Sequence, residues 1–559
     1  MRRRATMPRN DALSSIRTRP APARKPAVAK TDQRRPAVKD QVRNAAGGYV
    51  FSVGDEARLH RFLTLGTEAG TFYTGKRELT KENAAVVLRA AEQAPLTLVR
   101  AIVDVSTKGR AAKQDYAIFA LAVASASPDV EGRRAALKAL PEVCRTATTL
   151  FKFLGYAEQF RGWGRTMRRA VGAWYDGKDA EQLAIQLVKY RQREGWTHND
   201  ALRLAHTSGT NDAHRVLYNY LAGRTTKDRN GKRIRAALPE VVLAFEALQR
   251  VENVRQVVEL TKVDGITWEM IPDRWINHAE VWETLINRGL PIGAMIRQLP
   301  RITRLGLATG ATGRTLAAQL QDAERLRKGR IHPLQLLVAQ KTYASGRSER
   351  GDSTWTPAGM ITDALDAGFY ASFGAVTPAN KTTIVGIDCS GSMGSSWSYG
   401  GGTKVSGIPQ LTCIEACAVI AMVTGATEPD TGYIGFDTRA WSLDVSPRRR
   451  LDDNVKYLRS QIKGGTDVSQ PIQMAIAKGI RADTFVILTD GETWAGRNHP
   501  FQAMELYRRR VNPNARLVVC AMTATGTSVV APFDELSLDV SGMDLAVPQI
   551  ISDFSAGRI

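Results

Sequence analysis

The chain has 559 residues, more than one hydrophobic core usually supports, so at least two folded units are expected. Its 43% hydrophobic and 24% charged residues are ordinary for a water-soluble protein. No apolar run reaches membrane-spanning length and no secretory apolar stretch follows the basic N-terminus, so no membrane partner and a cytoplasmic location are expected. A monomer is expected as well. The formal charge of +22 calls for a polyanionic partner or an acidic surface, and it is uneven: residues 1–44 carry +10, residues 376–559 carry −1 and the middle carries +13.

Residues 1–44 combine proline, alanine and basic residues with few large apolar ones. Such a segment cannot bury enough surface to offset chain entropy and is predicted to be a disordered tail. It could condense on RNA through phosphate contacts or act as a solubilising linker.

Residues 45–375 show apolar positions at three- and four-residue spacing, as in ENAAVVLRAAEQ, LTLVRAIVDV, LAIQLVKY and LPEVVLAFEALQRV, separated by short breaks such as SPD and NRG. The pattern predicts helices of about ten to eighteen residues joined by brief turns, stacked as a HEAT-like solenoid or packed as a compact bundle. No strand pattern is read between them. Trp163, Trp174 and Trp196 accompany basic residues and could stack on unpaired bases, although aromatics at helical spacing more often fill a core.

Residues 376–559 change pattern. TTIVGID, TGYIGFD, TFVILTD and ARLVVCAM read as short buried strands alternating with helical stretches, which predicts a doubly wound α/β domain. Asp388, Ser390 and Ser392 follow the first strand in Asp-Cys-Ser-Gly-Ser; Thr466 lies in the loop GGTD, and Asp490 ends TFVILTD. Ligands gather where parallel strands end at a switch in strand order, so these residues form an oxygen-rich crown. Two carboxylates and three hydroxyls suit a hard divalent cation, Mg2+ above all, with a coordination position left for an outside ligand. The set resembles the metal-ion-dependent adhesion site of von Willebrand factor A domains, which implies coordination by Asp388, Ser390, Ser392 and Thr466 with Asp490 close by. The ion would engage a partner protein or only stabilise the loops. The insertion SSWSYGGGTKVSG, residues 395–407, is read as a flap over the site or an ordinary flexible insertion.

Cys144, Cys389, Cys413, Cys417 and Cys520 show neither a disulfide framework nor paired zinc-ligand spacing, which indicates a reducing compartment and small core residues.

Four stretches of the helical region, RFLTLGTEAGTFYTG, GWGRTMRRAVGAWY, KYRQREGWTHNDALRLAHT and RIHPLQLLVAQKTYASG, with ALDAGFY at the junction, resemble the Ro autoantigen family of bacterial or phage type, whose helical module is the TROVE domain. The resemblance implies a closed ring of HEAT-like helical pairs completed by the A domain. It further implies small noncoding Y-like RNAs on the outer basic surface and single-stranded 3′ ends of misfolded RNAs in the central hole. Lys189, Arg193 and His206 align with the family's Y-RNA contacts. Lys189 and Arg193 lie four apart, which on one helix would give a single phosphate-facing side, and His206 could donate to phosphate or stack on a base. Arg165, Arg168, Arg169 and Arg191 are weaker candidates for the backbone. For bacterial members the family implies an adaptor role toward an exoribonuclease.

No catalytic residue is assigned: water activation needs a base or second metal, and the metal loops offer only Glu492 beyond the crown, so the chain is read as a non-enzyme. The expectation is a ribonucleoprotein scaffold in RNA quality control. An A-domain adaptor or chaperone-like module with metal-dependent partner binding is the alternative.

Overall fold

The computed structural model describes residues 30–52, 55–65, 79–108, 114–224, 238–348, 351–394, 403–405, 408–523, 527–541 and 547–558. Helices from Asp55–Leu65 to Gly359–Ala371 make up the first part, most with a buried apolar stripe. Their starts follow local chemistry: Asp129, Asp179, Asn211 and Asn253 side chains accept first-turn N–H groups, and Thr146 and Thr197 form capping boxes. Helix packs on helix along the chain, as Asp115–Ala124 does on Ala147–Ala157 and Gly310–Gln321 on Gly359–Ala371.

The strands are β1 (Gln41–Arg43), β2 (Tyr49–Ser52), β3 (Gln192–Arg193), β4 (Trp196–Thr197), β5 (Thr382–Asp388), β6 (Lys404–Val405), β7 (Ile408–Thr412), β8 (Asp430–Phe436), β9 (Ala440–Ser442), β10 (Thr484–Thr489), β11 (Arg516–Ala521), β12 (Thr527–Ser528) and β13 (Ser537–Ser541). Among the described residues the principal sheet has the order β13-β11-β10-β5-β8-β9, parallel except for the edge hairpin β8–β9. β5 and β10 are almost wholly buried, as expected for parallel strands covered on both faces. Chain order runs from β5 to β8 on one side and then to β10 on the other, so the switch point lies at the carboxyl ends of β5 and β10.

The helical part meets this domain at both of its ends. At its start, the helix Asp55–Leu65 reaches β13; at its end, Pro333–Ala344 and Gly359–Ala371 pack by the A-domain helices Cys413–Thr427 and Leu451–Ser460. Lys341 pairs with Glu415 at 2.8 Å and Arg450 with Asp366 at 2.6 Å. A continuous apolar core crosses this boundary. The helical-repeat architecture thereby closes through the A domain.

Two expectations are corrected. Residues 30–44, assigned to a disordered tail, form an ordered strap on the A domain together with β2, and residues 1–29 lie outside the described residues. Buried Gln33 and Asn44, rather than apolar bulk, anchor the strap, which is why a composition argument overlooks it. The stretch from Tyr49 onward is also not purely helical: Val50 and Phe51 of β2 are buried, Phe51 packs edge-on against Phe501 and Phe533, and β2 pairs with β12.

Candidate functional site

β5 delivers Asp388 to the switch point, and the register Ile387↔Leu488 sets Thr489 beside it. The Thr489 hydroxyl donates to Asp388 Oδ2 at 2.6 Å and the Ser390 amide donates to Oδ1 at 2.8 Å. Ser390 Oγ lies 3.1 Å from Ser392 Oγ, and Ser392 also hydrogen-bonds Asp490. Thr466 comes in on the loop after Leu451–Ser460, where the Gly391 amide donates to Gly464 O at 3.1 Å. Asp388, Ser390, Thr466 and Asp490 are buried, whereas Ser392 is exposed. The crown expected from the sequence is thus brought together, with an open side at Ser392.

Burial, reinforced by the facing Asp490 carboxylate, pushes the Asp388 carboxyl above the usual range, and burial does the same to Asp490. Two buried carboxylates sharing a site with hydroxyls and no basic side chain among the described contacts make a hard-cation donor set: a divalent ion would relieve their repulsion. Among the described residues no group of three or more His, Cys, Asp or Glu side chains is placed to hold a metal ion. The cysteines are free and buried, with thiols pushed up by burial, as expected for core residues.

Sequence reasoning missed what holds the loops of this crown. Gln33 of the strap donates to Asp467 Oδ1 at 2.7 Å, next to Thr466, and accepts from the Thr493 hydroxyl at 2.6 Å, just beyond Asp490. Asn44 donates to Thr493 O at 3.0 Å, and the Ala46 amide donates to Glu492 at 3.2 Å. Gly48 passes so close that a Cβ there would stand 2.0 Å from Thr493 O. A signal was present: VRN and YVFS flank the turn residues AAGG, a hairpin pattern. Of the expected flap, residues 395–402 and 406–407 lie outside the described residues; Thr403 donates to Ser392 O at 2.6 Å, and β6 pairs with β7.

The basic motif is differently built from its expectation. The helix Ala180–Lys189 ends at Lys189, and Arg193 sits across a turn on the hairpin β3–β4, where Glu194 and Gly195 both take positive φ. Lys189 and Arg193 therefore do not share a helix face. The Glu-Gly pair, a hairpin turn, interrupts a pattern that spacing alone reads as continuous helix. Lys189 is half-buried and pairs with Glu269 at 3.4 Å, whereas Arg193 is exposed and, among the described residues, its side chain bonds only to Gln192 O within its own hairpin. Arg191 is exposed with its guanidinium 5.5 Å from the Phe245 ring. His206 is exposed and caps the helix His198–Ala205 in a left-handed conformation. Arg165, Arg168 and Arg169 lie exposed on the helix Arg165–Asp176 without carboxylate partners among the described residues. Trp174 is core, with its indole N–H donating to Cys144 O. Trp163 and Trp196 are partly exposed, with ring centroids 5.9 Å apart.

Comparison with known proteins covers both parts. The TROVE domain model matches residues 42–257 and 258–342, and the Ro60 vWA domain model matches residues 382–555. A protein named RNA-binding protein RO60 from Deinococcus radiodurans is 34% identical over 542 residues, covering 96% of this chain and 98% of that one. The Caenorhabditis elegans protein of the same name is 32% identical over 595 residues, covering 93% and 91%. The crystal structure of the Deinococcus radiodurans RO (RSR) protein superposes with a TM-score of 0.72 at 34% identity, over 90% of this chain and 100% of that chain.

Proposed function

Because this chain belongs to the Ro60 family of TROVE-domain proteins, we propose that it is an RNA-binding scaffold whose helical part grips RNA while its A domain engages a protein through a bound divalent cation. The observation that supports the first half most directly is the set of exposed basic residues on adjoining elements: Arg193 on its hairpin, His206 on its cap and Arg165, Arg168 and Arg169 on the neighbouring helix. Exposed guanidinium groups without carboxylate partners are suited to phosphate oxygens, which fix register and orientation without reading sequence. The proposed ligands are Y-like noncoding RNAs and the single-stranded 3′ ends of misfolded RNAs, as for RNA quality control. The relatives' names as RNA-binding proteins support binding rather than catalysis.

The oxygen donors of Asp388, Ser390, Ser392 and Thr466, with Asp490 beside them, fit Mg2+. When bound, the ion would supply a coordination position for a partner's carboxylate; an exoribonuclease is one such partner. Asp388 and Asp490 set the charge of the site, and Thr489 orients Asp388. We propose a cytoplasmic monomer. Among the described residues no helix is long and apolar enough to cross a membrane.

The test is binding of a structured RNA with a single-stranded 3′ tail, measured against a blunt duplex over a range of salt. The tailed RNA is expected to bind more tightly, with affinity falling as salt rises. Equal affinity for the blunt duplex would remove the 3′-end reading.

A further inference from the structure

Between the end of the helix Asp115–Ala124 and the loop before Arg165–Asp176 lies a wide, open pocket of about 390 Å3, a volume in the range of small-ligand sites. Phe160 and Trp163 supply aromatic lining, Arg133 and Arg161 supply charge, and Gly162 and Gly164 leave the mouth without side chains. Both guanidinium groups are fixed by main-chain acceptors: Arg133 donates to Ser127 O at 2.7 Å and Pro128 O at 2.8 Å, and Arg161 donates to Ser125 O. Neither forms an ion pair among the described residues. Burial and the like charge of Arg133 hold the Arg161 guanidinium below its ordinary value, so two cations face one cavity without a counter-ion. The helix Arg165–Asp176 has Gly164, which lines the pocket, as its N-cap and no side-chain cap, so its first-turn N–H groups are not satisfied by a capping side chain.

We propose that this cavity holds one nucleotide of unpaired RNA, its phosphate between Arg133 and Arg161 and its base against Phe160 and Trp163. Guanidinium groups suit phosphate oxygens, and an aromatic lining accepts any base, so the site would be indifferent to sequence. The cavity is continuous with the proposed RNA surface: Trp163 lies against Trp196, which pairs across the hairpin with Arg193. The proposal rests on the RNA-binding reading and adds a place for a single nucleotide to it.

The test uses the full chain and a fluorescent single-stranded oligouridylate, competed with uridine monophosphate, uridine or inorganic phosphate. Uridine monophosphate is expected to compete best, because only it offers both anion and base. The discriminating variant is Gly162→Asp. A Cβ at Gly162 meets nothing within 4 Å and its φ lies outside the left-handed region, so the fold should accept a carboxylate at the mouth. Oligonucleotide affinity should fall about tenfold, the size of one lost charge-assisted contact. Gly162→Ala separates bulk from charge and should fall far less; Arg133→Gln should fall as Gly162→Asp does. If wild type binds the oligonucleotide and Gly162→Asp binds it equally well, the cavity proposal is overturned while the RNA reading stands. If wild type fails to bind it, both fall. Inorganic phosphate competing as well as uridine monophosphate would overturn the base-stacking half.

Discussion

His206 joins structure and proposed function in one residue. At φ 55° and ψ 33° it occupies a position that glycine fills more comfortably, because a Cβ there costs about 1–2 kcal/mol. A side chain that is exposed and conformationally unfavourable points to use beyond capping. His206→Gly relieves the backbone but loosens the unfolded chain, so urea unfolding should stay within about 1 kcal/mol of wild type. RNA affinity should fall severalfold; unchanged affinity would reduce His206 to a cap. His198, eight residues earlier, is the opposite kind of histidine. It is buried, lies 2.9 Å from the Tyr175 hydroxyl and 3.2 Å from Gln186 O, and burial lowers its pKa to about 4. The unfolded chain takes up this proton near 6.5 and the folded chain only near 4. Stability from this group is therefore complete above 6.5 and is lost as pH falls through that window, by about 3 kcal/mol. Unfolding free energies measured between pH 7 and 4.5 should show this slope, and His198→Gln should flatten it.

At the scale of elements, most helices and the A-domain strands were legible because their apolar periods are clear. The failures occurred where a polar turn or a polar anchor decides the structure. KYRQREGWT carries helical spacing, yet Glu194 and Gly195 turn the chain into a hairpin, which leaves Arg193 outward and Lys189 beside Glu269. The crown was readable because its two carboxylates lie at strand ends, which are set by sheet topology. The cavity at Arg133 and Arg161 was not, since it joins two loops and the helix Val130–Lys138, whose approach depends on helix packing. The hairpin geometry gives an ordered set of expectations for RNA affinity. Arg193→Ala should weaken binding more than Lys189→Ala, because Lys189 already has a carboxylate partner. Glu269→Gln should free Lys189 and raise affinity. A titration series in which Glu269→Gln leaves affinity unchanged would show that Lys189 does not face RNA.

For the whole molecule, ring closure and the proposed metal crown meet at the strap. Gln33 bridges the Thr466 loop and the loop after Asp490, while β1 and β2 bring the start of the chain onto the domain that ends it. The Gln33 side-chain hydrogen bonds to Asp467, Asn498 O and Thr493 are buried, so their loss leaves desolvated donors and acceptors rather than water-exchanged ones. Gln33→Ala should therefore cost about 1–3 kcal/mol of stability. It should also weaken Mg2+ binding, because the two loops it ties no longer hold Thr466 and Asp490 in register. Asp388→Ala sets the baseline, since it removes a charge of the crown itself and should abolish the response to Mg2+ while sparing RNA binding. The measurement is the rise in melting temperature with added Mg2+, followed in both variants alongside RNA affinity. An intermediate rise in Gln33→Ala, between wild type and Asp388→Ala, would place the strap in the support of the metal site. A wild-type rise on a lowered melting temperature would confine it to closing the fold.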